Sequence, residues 1–312
     1  MKISPVAQKI RENIQKVIVG KDEVINLVLT AVLCEGHVLM DDVPGMGKTT
    51  LARALAASMG LSFRRIQFTP DLLPSDVTGL SWFNQKTQEF EFRSGPVMSQ
   101  VVLADEINRA TPRTQSAMLE AMQERQVTAD GVTRLLPRPF LVVATQNPVE
   151  LEGTFPLPEA QLDRFLLRVA IGYPSQAEEN AILERFRASD PLPDLRTVVS
   201  VDELIEMQTE RRQVRVEESV RDYMVRIARA TRENGEIELG ASPRATMALY
   251  QTSQAWAAIQ DREYVLPDDV KTMAPHVLSH RLIIAPQAQL RGRRSEELIS
   301  DIVSSVPVPV EN

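Results

Sequence analysis

"DDVPGMGKTT", residues 41–50, is the stretch on which the reading of this chain turns. It falls one glycine short of the phosphate-loop pattern G-x-x-x-x-G-K-[ST], with Asp42 where the first glycine would stand. An apolar run, "HVLMDD" (37–42), precedes it, and a helical pattern, "KTTLARALAASMG" (48–60), follows and stops at Gly60. Strand, glycine turn and helix in that order are the setting such a loop requires. Gly45 and Gly47 let the backbone curl closely around an anion, and the amides from Gly45 through Met46 to Thr49 would point inward at a positive helix N-terminus. Pro44 stiffens the turn and donates nothing. Lys48 can reach β- and γ-phosphates, and the Thr49 hydroxyl can ligate Mg²⁺. Thr50 completes the candidate phosphate-binding set. Asp42 stands at the mouth of the loop, where its side chain can point away from the phosphates.

Working outward, four more apolar runs read as buried strands: 63–69, 101–106, 140–147 and 166–171. Helical patterns alternate with them, including 111–125 with Thr111 as N-cap and Pro112 at the first helical position. That alternation predicts a parallel five-stranded sheet covered on both faces, with the ligand at the carboxyl ends of the strands. Two segments, 80–95 and 125–137, read as inserted hairpins, the second turning at Asp130-Gly131. A proline-rich linker near 187–197 ends the α/β pattern, and helical patterns fill the remainder. The expected division is an α/β nucleotide-binding core over 1–195 and a smaller all-α domain over 196–312.

Composition bounds the rest. The 312 residues are 43% hydrophobic and 25% charged, with a net charge of −7 and one cysteine. No apolar run approaches the roughly 20 residues a bilayer span needs, and a cytoplasmic, reducing location is expected, with recruitment to a membrane by a partner left open. The negative charge argues against broad nucleic-acid binding. "RGRR" (291–294) reads as a solvated loop or, less simply, a local basic patch. His276 and His280 could share a helix face, but two histidines rarely make a metal site.

Four further elements complete the constellation. "VVLADEINRA" (101–110) ends a strand in Asp105 and Glu106, read either as an acidic turn cap or as a water-mediated Mg²⁺ ligand and a residue that polarises the attacking water. Asn147 ends "FLVVATQNP" and is either a turn former or a hydrogen-bond partner of the same water or of the γ-phosphate. Arg164, in "LPEAQLDRFLLRV", is either a surface arginine or a finger reaching a neighbouring subunit. Arg244 follows the N-cap Ser242 and Pro243, and a cation at a helix N-terminus is locally unfavourable, which suggests a phosphate as its reason.

These elements in this order resemble the AAA+ ATPases. The segments between them, among them "IQFTPDLLPSDVTG", "ADEINRATPRTQSAMLEAMQER" and "ATQNPVELEGTFPLPEAQLDRF", resemble the MoxR family over nearly the whole chain. The resemblance implies that Lys48 and Thr49 belong to Walker A, Asp105 and Glu106 to Walker B, Asn147 to sensor 1, Arg164 to the arginine finger and Arg244 to sensor 2. It implies that Val19 and Gly20 lie in the adenine-lining segment, that 70–95 is a helix-2 insert and that 125–137 is a pre-sensor-1 hairpin. Whether Arg244 acts in cis or in trans stays open. It further implies ATP and Mg²⁺ as cofactors, a ring, usually hexameric, and a von Willebrand factor A domain protein as co-chaperone. The expected function is chaperone-like ATPase remodelling of protein partners; the alternatives are a nucleic-acid-translocating motor, a magnesium-chelatase-like subunit and a non-hydrolytic nucleotide switch.

Overall fold

The computed structural model describes residues 2–43, 45–146, 153–187 and 189–309. The chain opens with helices α1 (Ile3–Ile14) and α2 (Asp22–Leu33), then strand β1 (Val38–Asp41), helix α3 (Lys48–Ser58) and strand β2 (Phe63–Gln67). Helix α4 (Pro74–Thr78) leads into the hairpin β3 (Gly79–Asn84) and β4 (Glu89–Ser94). Strand β5 (Val101–Asp105) and helix α5 (Pro112–Glu124) precede a second hairpin, β6 (Gln126–Ala129) and β7 (Val132–Leu135). Next come β8 (Leu141–Gln146), α6 (Glu159–Leu162), β9 (Leu167–Val169) and α7 (Gln176–Phe186). The remainder is helical: α8 (Val201–Glu210), α9 (Glu218–Glu233), α10 (Pro243–Ile259), α11 (Pro267–Leu278), α12 (Pro286–Leu290) and α13 (Ser295–Ser305). A short antiparallel pair, β10 (Ile237–Leu239) with β11 (Ile283–Ile284), lies among them.

The main sheet is five-stranded and parallel, in the order β2-β5-β8-β1-β9. Alternate side chains on its inner strands enter separate hydrophobic clusters, as a period of two requires. Val38, Met40, Val101, Leu103 and Val143 pack with α1, α2 and α3, while Leu39, Val102, Ala104 and Val142 pack with α5. The first cluster runs on into α8 to α11 and α13, so the helical unit shares its core with the sheet. Each inner strand stays buried until its last residue, Asp41, Asp105 or Gln146, which is half-buried. The polar groups therefore collect at one edge.

The α/β core, the five strands and the helical remainder match the expectation from the sequence, and the Asp130-Gly131 turn has both residues in the left-handed region, at φ 53 and 75°. Some local expectations fail. Thr111 occupies the N-cap position, yet its hydroxyl lies 3.4 Å from the Thr114 hydroxyl and caps no amide. The sequence reading places no helix at 176–186, although Ser175 and Glu178 form a reciprocal capping box there. His276 sits on α11 but His280 falls in the 3₁₀ turn that follows, and each ring binds a main-chain carbonyl, of Arg168 at 3.1 Å and of Phe165 at 3.0 Å. These two histidines, with buried Arg281 on Asp163, fasten the helical unit to the start of β9.

Candidate nucleotide site

The loop after β1 is shaped by its two glycines, at φ +87° for Gly45 and +84° for Gly47, a region that side chains with a Cβ adopt at a cost. Gly47 hands the chain to α3, whose first residue is Lys48. The Lys48 ammonium is buried and donates to the Asp42 carbonyl at 2.6 Å. Asp42 itself turns away from the loop. Its carboxylate accepts the amides of Ile171 and Gly172 at 2.6 and 3.1 Å, tying the exit of β1 to the exit of β9. The residue that replaces the usual glycine is thus a buried brace.

A cavity of about 360 Å³ opens beyond the loop, walled by Gly45, Lys48, Thr49, Thr50, Asp105 and Glu106 together with Arg65, Gln67 and Thr145. Asp105 accepts from the Thr145 hydroxyl at 2.6 Å and from the Arg65 guanidinium at 2.6 and 2.9 Å. The Glu106 amide donates to the same Thr145 oxygen at 2.8 Å, so one hydroxyl fixes both acidic residues. Glu106 has φ +56°. A glutamate held there is strained by about 1–3 kcal/mol, a cost found where surrounding structure maintains a geometry for function. Its carboxylate accepts from Gln67 at 2.7 Å and from Arg109 at 3.1 Å. Thr49 and Asp105 supply oxygen donors in one cavity, the hard-ligand chemistry that suits Mg²⁺.

A second, largely apolar cavity of about 240 Å³ adjoins the first through Gly45, Gly47 and Thr50. Val19 and Met46 line it with Ile18, Ile171, Ile182 and Phe186. Its size and apolar walls suit a flat ring. Gly20 turns the chain beside this cavity at φ +66°, and a Cβ there would fall 1.7 Å from the Glu178 carboxylate.

The two arginines lie elsewhere. Arg164 precedes β9, and the register Val38↔Leu167 puts it at the amino end of the sheet, whereas the loop leaves the carboxyl end. The four residues of β1, at about 3.3 Å each, separate those ends by roughly 13 Å. Arg164 and Arg244 share another cavity, of about 440 Å³, in which Arg244 pairs with Asp163 at 3.6 Å. Neither lines the phosphate cavity. Pro44 and Asn147 lie outside the described residues.

The structure thus gathers Gly45, Lys48, Thr49, Thr50, Asp105 and Glu106 into one pocket and adds residues that the sequence reading misses. Arg65 and Gln67 were detectable as alternate positions at the end of one strand, which place both on one face. Ile171, Ile182 and Phe186 belong to the turn and helix after β9 and carry no local motif.

The family of ATPases associated with various cellular activities matches residues 37–167, and the AAA lid domain family matches 229–302. The chain is 51% identical to the uncharacterized protein YeaC of Bacillus subtilis over 309 residues, covering 99% of this chain and 97% of that one. It is 40% identical over 308 residues to Chaperone MoxR1 of Mycobacterium tuberculosis, covering 96% and 81%. A crystallised protein of Cytophaga hutchinsonii, assigned as an ATPase, superposes with a TM-score of 0.93 at 38% identity, covering 99% and 96% of the two chains. Since that similarity runs from the first helix through the helical unit, and the phosphate loop sits where such a core requires it, the chain belongs to the MoxR family of AAA+ ATPases.

Proposed function

We propose that this protein hydrolyses ATP with Mg²⁺ in a head-to-tail ring and uses the cycle to remodel or mature protein partners. The observation that carries the assembly is the placement of Arg164 and Arg244 in one cavity at the opposite end of the sheet from Lys48 and Glu106. Neither arginine lines the phosphate cavity of its own chain, which supports supply of both by a second copy, with Arg244 acting in trans beside Arg164. A heterologous contact of this kind closes into a ring when its rotation permits, and a hexamer is the size we propose. We take the chain to divide into a core over 1–195 and a helical unit over 196–312, with Arg164 on the first and Arg244 on the second.

In each site Lys48 and the loop amides hold the β- and γ-phosphates. Mg²⁺, held by Thr49 and through water by Asp105, would neutralise charge on the phosphate oxygens. Glu106, kept in place by Thr145, Gln67 and Arg109, orients and deprotonates the attacking water. Asn147 is proposed as a second partner of that water. Val19, Ile182 and Phe186 bind the base.

The chaperone role rests on the similarity to Chaperone MoxR1. A von Willebrand factor A domain protein is the proposed co-chaperone. Among the described residues no helix is long and apolar enough to cross a membrane. The test is phosphate release from Mg²⁺–ATP, followed by capture of partners on a Glu106→Gln variant held with ATP. ATP-dependent recovery of a defined protein supports remodelling. Turnover that responds to DNA and to no protein would favour a nucleic-acid motor instead.

A further inference from the structure

A groove of about 750 Å³ adjoins the arginine cavity, sharing Cys34, Glu35, Met247 and Gln251 with it. Its walls combine Arg211, Arg212 and Arg221 with Val225, Met247 and Tyr250. Val225 is 45% and Met247 62% exposed, so apolar surface is open to solvent. Among the described residues Glu35 is the one acidic residue lining it, and that carboxylate already pairs with Arg138. Arg221 has no ion-pair partner among the described residues, and Arg212 only approaches Glu35 at 3.9 Å. Arg211 is 5% exposed and its Nε has no acceptor among the described residues. The groove therefore offers apolar contact and unanswered donors.

Helix α7 has the reverse character. None of its residues is buried, although it carries Ile182, Leu183 and Phe186. Ile182 and Phe186 turn toward the apolar half of the nucleotide site, and Arg185 on that side donates to the carbonyls of Gln15 and Ile18. Glu179 and Leu183, one turn apart, face outward, Leu183 at 72% exposure. A short helix with no buried face is marginal in water unless something covers it.

We infer that the groove of one protomer receives the outer face of α7 from the next, with Leu183 against Met247 and Val225 and with Glu179 answering Arg221. The inference rests on the head-to-tail reading and fixes its register. Each of the two faces has two adjoining halves: phosphate cavity beside α7, and arginine cavity beside groove. With the groove lying on the same side of the arginines as α7 lies of the phosphates, bringing Arg164 and Arg244 to a second copy lays the groove on that copy's α7. The contact couples assembly to nucleotide binding, because α7 also walls the pocket for the base.

Sedimentation velocity of the full chain in ATP and Mg²⁺, over a concentration series, tests this. Leu183→Asp, Glu179→Arg and Arg221→Glu should each raise the concentration of half-assembly by about tenfold or more. Glu179→Arg and Arg221→Glu in one chain should recover most of that loss. ATP binding by calorimetry at concentrations where every chain is monomeric, and the thermal midpoint there, should stay at wild-type values, and the two charge changes lie on separate helices, so a folding defect in one leaves the other to decide. Assembly unchanged in all three, while Arg164→Ala and Lys48→Ala chains still complement each other, would overturn this register and leave the ring intact. A wild-type chain that stays monomeric and mutants that fail to complement would overturn both.

Discussion

The Asp42 carboxylate accepts the Ile171 amide at 2.6 Å, joining the mouth of the phosphate loop to the wall of the base pocket. The same carboxylate takes the Gly172 amide at 3.1 Å. A glycine at position 42 would meet the usual loop pattern and would strand both donors. Asp42→Gly should lower stability by about 3–6 kcal/mol, from two hydrogen bonds to a charged group, and should weaken ATP binding through the displaced wall. Urea denaturation and calorimetry measure the two effects. A more stable variant with tighter binding would mean that the brace is dispensable.

Glu106→Gln should bind ATP near normally and turn over about 10²–10⁴-fold more slowly. The amide keeps the shape and loses the base. Single-turnover phosphate release separates the two, and near-normal turnover would remove Glu106 from the chemistry. Lys48→Ala should lose ATP binding outright, since its ammonium is the principal cation of the loop.

Arg65 places a guanidinium 2.6 Å from the Asp105 carboxylate, where it competes with a divalent ion. The pair is partly exposed, so its worth is about 0.2–1 kcal/mol. Arg65→Ala should lower the Mg²⁺ concentration for half-maximal turnover by roughly 1.5- to 5-fold. A requirement for more Mg²⁺ would make Arg65 a phosphate contact instead.

Two buried histidines, His37 and His280, and the half-buried His276 set an acid limit. Burial lowers His37 from 6.5 to about 3, and burial also lowers His276 and His280. The His37 ring accepts the Val142 amide on Nδ1 at 3.0 Å and faces the Met122 carbonyl with Nε2 at 3.1 Å, an arrangement only the neutral ring satisfies. The unfolded chain therefore takes up protons first, and stability falls as pH drops below about 6.5, by at most about 1.4 kcal/mol per pH unit for each histidine. For His37 that loss continues toward pH 3, its folded value. His37→Gln should flatten the slope of unfolding free energy between pH 6.5 and 5 by about one proton. An unchanged slope would show that the ring is already charged in the fold.

The five strands, the two hairpins and the phosphate cavity were legible because each is written locally. An apolar run ends in Asp41 or Asp105, a glycine turn follows, and Asp130-Gly131 closes a hairpin. What the sequence hides depends on contacts across the chain. Asp42 meets Ile171 129 positions away, and Arg244 of α10 meets Asp163 ahead of β9, where His276 and His280 hold the Arg168 and Phe165 carbonyls. Helix α7 escaped because its apolar residues face a pocket and solvent, so no buried stripe marks it.

The central claim is that Arg164 completes the site of the next chain. Arg164→Ala should keep ATP binding and lose about 10³–10⁵ in hydrolysis rate, and Lys48→Ala should be inactive. Mixed in equal amounts, the two inactive chains should regain up to about a quarter of wild-type activity, since in a random ring that share of interfaces joins an intact loop to an intact arginine. Phosphate release from the mixture is the measurement. Recovered activity that vanishes on dilution is the result predicted; a mixture as inactive as its components, beside a fully active wild-type monomer, would contradict it.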